Sequence, residues 1–445
     1  MRRLSYDSLV HWFSPNVGIK RWLFLTSLGI GVFSIGVALI SIHVFGVNHV
    51  LPRIVDNWTS MWIITLLGAG STAFGMRRLV HNLLAPYRRQ QHGTVLENVM
   101  DYNRRQKGVK LVAIGGGTGL PASLRGMKQY TNNITAVVTV GDDGGSSGRL
   151  RRDLGVLPPG DIRNNIAALA DEDSLLTQLF QYRFTDGDLK GHSFGNLFIA
   201  ALANIVAEQH GNGHNSLAEA LIEVERVLNI RGRVLPSTLD DIVLTGTVQL
   251  KDSSRKIKVR GESQIGEVDG ILDTIAIEPV GALAYPPSVE AILEADIVVI
   301  GPGSLFTSIL PNLMVKGIAD ALRATDALII YVCNVATQPV ETEDYTVAEH
   351  VMALETHIGR GVFQAVIANN VYPEKNAGKN TTYVAPVPEN HEILQRYDVY
   401  STDLTDFERP WRHDTHKLAN AILTLAKQDS NLASLIKSTS KELVL

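Results

Sequence analysis

Lys110–Arg149 reads KLVAIGGGTGLPASLRGMKQYTNNITAVVTVGDDGGSSGR. Two apolar runs in it, Leu111 to Ile114 and Ile134 to Val140, have strand length and β-branched content, and glycines stop both abruptly. Gly115, Gly116, Gly117 and Gly119 carry no Cβ, so the chain can take positive φ there and bring its amides close to an anion. Leu120 to Tyr130 then reads as a helix whose N-terminal dipole points at the same spot. This is the front half of a nucleotide-binding βαβ unit, and the spacing predicts a parallel α/β fold. The dinucleotide fingerprint G-x-G-x-x-G fails, because Leu120 stands where the third glycine belongs. No G-x-x-x-x-G-K-[ST] phosphate loop occurs either, since Arg149 follows Gly148. A hydride-transferring oxidoreductase is disfavoured on the same ground. The second strand ends in Asp142, Asp143, Ser146 and Ser147, and such acids accept ribose hydroxyls or hold a divalent ion.

Outward from this stretch, 445 residues at 45% hydrophobic and 19% charged suffice for one large or two ordinary domains. A formal net charge of -4 gives nucleic acid no broad invitation. The single cysteine, Cys333, can form no internal disulfide and is too few for a thiolate zinc site, which fits a reducing compartment. Trp22 to Phe45 contains no acid or strong base and as a helix is about 36 Å long, enough to span a bilayer. Trp58 to Met76 is about 28 Å by the same rise and richer in Ser, Thr and Gly. Together they predict a membrane hairpin over 1–79. Arg2, Arg3, Lys20 and Arg21 precede it, Arg77, Arg78, Arg88 and Arg89 follow it, and the connection holds only Arg53. The positive-inside rule therefore puts both ends, and the domain that follows, in the cytoplasm at the inner membrane. A polar linker is expected over 80–108, an α/β nucleotide-binding domain over 109–428 and a tail over 429–445.

Within that domain, Leu157-Pro-Pro-Gly-Asp161 fixes a loop, and Asp161 is placed to cap a helix beginning at Ile162 or to touch a ligand. Arg163 falls in the first turn, where the dipole disfavours a cation unless an anion such as phosphate partners it. Gly191-His-Ser-Phe-Gly195 matches the hydrolase elbow G-x-S-x-G, but no apolar strand precedes it. Ser193 reads instead as a helix cap, with Phe194, Leu197, Phe198, Ala201, Leu202 and Ile205 as the buried face and His192 and Asn196 free to reach a ligand. Alternation from Arg233 to Pro279 predicts an antiparallel β insertion, with Arg255, Lys256, Lys258 and Arg260 as a solvated face. Parallel units return at Asp296–Ile300, which ends in Gly301, Pro302, Gly303 and Ser304. Ala327–Cys333 ends at Asn334, and Val362–Ile367 ends at Asn369. Polar residues at several strand ends would line one sheet edge, where open α/β proteins bind ligands. The last helix carries Arg412, His413, Asp414 and His416. No third nitrogen or sulfur ligand accompanies the two histidines, so Arg412 reads as an anion contact rather than part of a metal site.

GGGTGL at Gly115, VGDDGGSSGRLR at Val140, LPPGDIRN at Leu157, GHSFGNL at Gly191, RVLPST at Arg233, GPGSLFTSILPNL at Gly301 and NVATQP at Asn334 together resemble the YvcK family, also called gluconeogenesis factors or GlmR. That family sits in the CofD, or 2-phospho-L-lactate transferase, superfamily. The resemblance covers roughly Lys110 to Ala426 and leaves out the N-terminal hairpin. It implies a Rossmann-like fold binding a UDP-sugar, typically UDP-N-acetylglucosamine, in a regulator of cell shape, peptidoglycan precursor supply and growth on gluconeogenic carbon. By motif position it implies a pocket of Gly116, Gly117, Thr118, Asp142, Asp143, Ser147, Asp161, Asn165, His192, Asn196, Gly303 and Ser304, with Arg412 on the diphosphate. In the transferase relatives the same cleft works with magnesium, and Asp142 and Asp143 would then be its ligands. A homo-oligomer with further protein partners is expected. The alternative is a magnesium-dependent transferase acting on a nucleoside diphosphate-linked donor. No histidine or serine stands out as a nucleophile, which favours the sensor.

Overall fold

The computed structural model describes residues 20–45, 57–88, 105, 107–210, 216–251, 255–374, 381–428, 432, 433 and 436. The chain divides into two units, Met1–Asp101 and Tyr102–Leu445. In the first, helices span Lys20–Val44 and Trp58–Arg88. The second helix runs past the expected end at Met76 into the expected linker. Among the described helices, only the first, over Trp22–Val44, is long and apolar enough by itself to cross a membrane.

The second unit is built on central strands that are apolar at nearly every position and buried on both faces, the pattern of a parallel sheet covered by helices on each side. The central four are β1 (Leu111–Gly115), β2 (Ile134–Val138), β7 (Ile297–Ile300) and β8 (Leu328–Val332). β9 (Ala365–Asn369) and β10 (Asp398–Thr402) extend one side, and β3 (Arg233–Pro236) ends the other. The order is β10-β9-β8-β7-β1-β2-β3, and every neighbouring pair is parallel. All seven carboxyl ends therefore lie on one edge. Leu111 is opposite Ile134 on one side and Ile297 on the other, so β1 is the strand from which the winding proceeds both ways. The crevice between the β1 and β7 turns is the topological switch point, where such sheets leave room for a ligand.

Arg233–Pro236 thus belongs to the parallel sheet, not to the insertion. The antiparallel insertion is β4 (Val243–Leu250), β5 (Lys256–Arg260) and β6 (Gly270–Glu278), in the order β5-β4-β6. Its alternation is as read: Ile242, Leu244 and Val248 are buried. Lys256 pairs with Asp273 at 2.7 Å, and Lys258 and Arg260 pair with Glu278 at 3.3 and 3.1 Å on the solvated side. The helix Phe194–His210 differs from its reading. Ile199, Ala200, Ala203 and Val206 are inside, while Ile205 is 49% exposed. At the helix start Gly195 lies against Arg163, where a Cβ would come within 2.9 Å of its Cδ. Leu432 and Ile436 are buried with the core, so the domain reaches into the expected tail.

At the switch point the β1 and β7 turns touch. A Cβ on Gly119 would stand 2.6 Å from the Pro302 carbonyl oxygen and 2.9 Å from Gly303 Cα. Backbone cannot retreat as a side-chain tip can. Gly119→Ala is therefore expected to lower the free energy of unfolding by about 1–3 kcal/mol through overpacking. Denaturant titration checks this, and an unchanged midpoint would mean that the two turns are not in contact.

Candidate functional site

The β1 turn runs Gly116-Gly117-Thr118-Gly119. Gly117 is left-handed (φ 61°), a conformation open to glycine without strain. Gly116 is needed for a different reason: a Cβ there would lie 2.5 Å from Asp161 Oδ2 and 2.8 Å from Thr139 Cγ2. Asp161 is not a cap. The helix starts at Gly160, and the Asp161 carboxylate accepts the Gly117 amide N–H. The fully buried Asn312 donates to the Gly115 carbonyl at 2.9 Å and so fixes the end of β1.

On the β8 side of this turn is a cavity of about 310 Å³, lined by Thr118, Gly119, Gly303, Ser304, Asn334, Gln338, Arg125, Asp406, Arg409, Trp411 and Arg412 among others. Five of these, Arg125, Gln338, Asp406, Arg409 and Trp411, are additions to the residues named from sequence. Asn334 folds its amide over Gly303, accepting its N–H at 3.3 Å and donating to its carbonyl at 2.8 Å. Gln338 donates to Ser304 Oγ at 2.7 Å. Asn334 and Ser304 thus hold the glycine turn as well as line the cavity. Arg125 pairs with Glu172 at 3.0 Å. Arg409 and Arg412 form no ion pair among the described residues and face the cavity as free cations. Arg412 lies just before the helix Thr415–Ala426, whose N-cap is Asp414, accepting from the amides of His416 and Lys417. His413 faces inward. Burial pushes its imidazole down to about 4, and its Nε2 donates to the Cys333 carbonyl. The Cys333 thiol is pushed by burial up to about 12, outside the range of a nucleophile.

On the β2 side the other expected residues form a separate cluster. Ser146 Oγ lies 3.0 Å from His192 Nδ1 and accepts from Asn196 Nδ2 at 3.0 Å. Asn165 donates to the Asp161 carbonyl oxygen at 2.8 Å, and Arg163 donates to Asn164 at 2.6 Å. The buried atoms Asn165 Oδ1, Asn196 Oδ1 and Arg163 Nε have no protein partner. Ser193 is fully buried and receives the Asn196 N–H at 3.3 Å, so it caps its helix as read and cannot serve as a nucleophile. The Asp142 carboxylate accepts the Gly144 N–H at 2.9 Å and a hydrogen bond from Ser147. Asp143 accepts both the N–H and the hydroxyl of Ser263, at 2.9 and 2.8 Å. Asp143 therefore latches the β insertion to the site.

The acids on this side share one field. Burial raises Asp142, and burial raises Asp161 to about 6. Glu262 of the insertion is raised further, by burial and then by the charges of Asp142, Asp161, Glu341 and Asp143. Burial lifts Glu341 to about 7, although it accepts from Phe306 N and Thr307 Oγ1 at 3.2 and 3.1 Å. Sequence reasoning missed Glu262 and Glu341, and the only available signal was that Glu341 lies two residues after the NVATQP motif, which ends at Pro339. The site thus has an acidic floor toward β2 and an arginine rim toward β8. Among the described residues no three or more His, Cys, Asp or Glu side chains are grouped as metal ligands. Both Asp142 and Asp143 already accept hydrogen bonds. A magnesium ion here would be held by one or two of these carboxylates together with phosphate oxygens and water, the ligand set that ion favours.

A raised carboxyl pKa means that Asp161 favours the fold when protonated. Its contribution is complete below about 3.8 and is lost as pH rises through about 6. The ionised form therefore costs up to about 3 kcal/mol at pH 8. Asp161→Asn is expected to be more stable than the parent at pH 8 and to lose that advantage at pH 4, as read from denaturant midpoints. An identical difference at both pH values would contradict the burial of this charge.

The family model for 2-phospho-L-lactate transferase CofD matches residues 111–405. A putative gluconeogenesis factor of Nostoc sp. is 44% identical over 434 residues, covering 93% of this chain and 91% of its own length. The gluconeogenesis factor of Bacillus subtilis is 42% identical over 325 residues, 72% of this chain but 98% of that protein. The crystal structure of a UPF0052 family member from Bacillus halodurans superposes with a TM-score of 0.64 at 38% identity, covering 70% of this chain and 99% of its own. The chain belongs to the CofD family, in the group of the gluconeogenesis factors.

Proposed function

We propose that the chain is a regulatory protein that binds a nucleoside diphosphate-linked sugar, with UDP-N-acetylglucosamine as the ligand, in the crevice between the β1 and β7 turns. One observation carries the reading: two unpaired arginines, Arg409 and Arg412, face an acidic floor across a glycine turn with no room for side chains. A diphosphate suits the arginines, which present paired N–H donors to phosphate oxygens. Sugar or ribose hydroxyls suit the carboxylates and the unpartnered amide oxygens of Asn165 and Asn196. Trp411 offers an apolar face for a base or ring. At about 310 Å³ the cavity is at the small end of the ligand range, so part of such a ligand extends over the turn toward the acids.

Neither Ser193, Cys333 nor His413 is poised for covalent chemistry, which favours a sensor over a hydrolase. In this reading the chain adjusts peptidoglycan precursor supply, cell shape and growth on gluconeogenic carbon. Its N-terminal helix tethers it to the inner membrane with the site toward the cytoplasm. A magnesium-dependent phospholactyl-type transfer is the second reading, favoured by the family model itself and by Asp142 and Asp143 beside the crevice. Asp142 and Asp143 would hold the magnesium, which would supply charge neutralisation to the phosphates, while Arg409 and Arg412 orient the diphosphate.

Titration calorimetry with UDP-N-acetylglucosamine and with GDP, each with and without magnesium, separates the two readings. The expected result is binding of the UDP-sugar without magnesium, weakened at least tenfold by Arg412→Ala or Arg409→Ala with the fold intact. Unchanged affinity in both variants would contradict the site. Tight, magnesium-dependent GDP binding with turnover of a guanylated phospholactate donor would favour the transferase.

A further inference from the structure

The two helices of the N-terminal unit are packed inside out relative to a water-soluble hairpin. Apart from Met61, what they bury is small or hydroxylated: Thr26, Gly29 and Gly36 on the first, Thr65, Gly68 and Gly75 on the second. What they expose is large and apolar, with Phe24 at 70%, Leu66 at 65% and Leu67 at 63%. The register is antiparallel and tight. A Cβ on Gly29 would lie 2.6 Å from Thr72 N, one on Gly36 2.8 Å from Thr65 Cα, and one on Gly68 2.6 Å from Phe33 Cα. The threonine hydroxyls are satisfied within their own helices: Thr26 donates to Trp22 O at 2.7 Å, Thr65 to Met61 O at 2.8 Å and Thr72 to Gly68 O at 2.8 Å. No hydroxyl in the seam is left wanting water. At one end Arg78 stacks over Trp22 at 5.6 Å, and at the other His43 meets Trp58 edge-on at 4.9 Å. Aromatic and cationic groups thus mark both ends of an apolar cylinder about 34 Å long, slightly more than a hydrocarbon core.

We infer that the second helix also crosses the bilayer, as the packed partner of the first, so that the hairpin passes through lipid twice and returns the chain to the side from which it started. Glycine and threonine are what make the second helix too polar to qualify alone. In the hairpin Thr65, Gly68 and Gly75 face the first helix, and the large side chains of Trp62, Ile63, Leu66, Leu67 and Phe74 meet the acyl chains. The occupant of the exposed face is lipid. The inference is independent of what the nucleotide site binds.

The test uses the full chain in spheroplasts, with Cys333 left in place because it is buried. Asn48→Cys reports the connection and Asp188→Cys the globular unit, each probed with a membrane-impermeant maleimide. The expected result is labelling of Asn48→Cys in intact spheroplasts, and of Asp188→Cys only after permeabilisation. Labelling of Asp188→Cys in intact spheroplasts, or protection of both, would overturn the double crossing, as would release of the protein by alkaline carbonate. A second comparison reads the packing. Gly36→Leu and Gly68→Leu fill the seam, whereas Gly31→Leu and Gly70→Leu fall where a Cβ meets nothing within 4 Å. The first pair is expected to expose Asp188→Cys several-fold more, or to be degraded, while the second pair behaves as the parent. Equal behaviour of all four would overturn the role of the seam.

Discussion

The backbone contact between Gly119 and the Pro302–Gly303 turn is the constraint from which the rest of the site follows. Because β1 is wound outward in both directions, the turns after β1 and β7 leave the sheet side by side, and neither can carry a side chain where they meet. The close approach sets the height of the crevice floor. It also explains the surrounding polar ties: Asn312 holds the end of β1, Asn334 holds Gly303, and Gln338 holds Ser304. Each is a buried or half-buried amide spent on positioning backbone.

That positioning has an electrostatic consequence. The N–H groups of Gly117 and Gly303 do not stand open to an anion, because Asp161 and Asn334 already accept from them. A diphosphate therefore finds its positive partners in Arg409 and Arg412 before it finds them in the turn. An anion that does approach Gly117 must contend with the Asp161 carboxylate, whose proton affinity burial has already raised. The acids Asp142, Asp161, Glu262 and Glu341 make the opposite side of the turn suited to hydrogen-bond donors and cations. A ligand anionic at one part and hydroxyl-rich at another is matched by that polarity. The β insertion enters this arrangement through Asp143 and Ser263 and through Glu262, so its placement and the charge of the floor are linked.

The sheet was legible because its central strands are apolar at nearly every position, and a run such as Ile297–Ile300 has one sensible place in a fold. The flanking strands were not. Arg233–Pro236 is four residues ending in proline, and Asp398–Thr402 carries polar residues at an edge where only one neighbour must be satisfied. The glycine turns, Asp161, Asn334 and Arg412 announced themselves by motif and by position after strands. Their division into two clusters did not, since sequence order says nothing of which side of a turn a residue faces. Glu262 carries no motif signal within an insertion whose basic residues read as solvated, and only the latch through Asp143 brings it to the floor. The rotation of the Phe194–His210 helix was hidden because both of its stripes are apolar.

Hydrogen exchange of the full chain with and without UDP-N-acetylglucosamine tests the central claim most directly, because it reads the two turns without altering them. The account predicts slowed exchange in the peptides covering Gly116–Gly119 and Gly301–Ser304 together, with that covering Arg409–Arg412. Protection confined to other segments, with both turns unchanged, would contradict it.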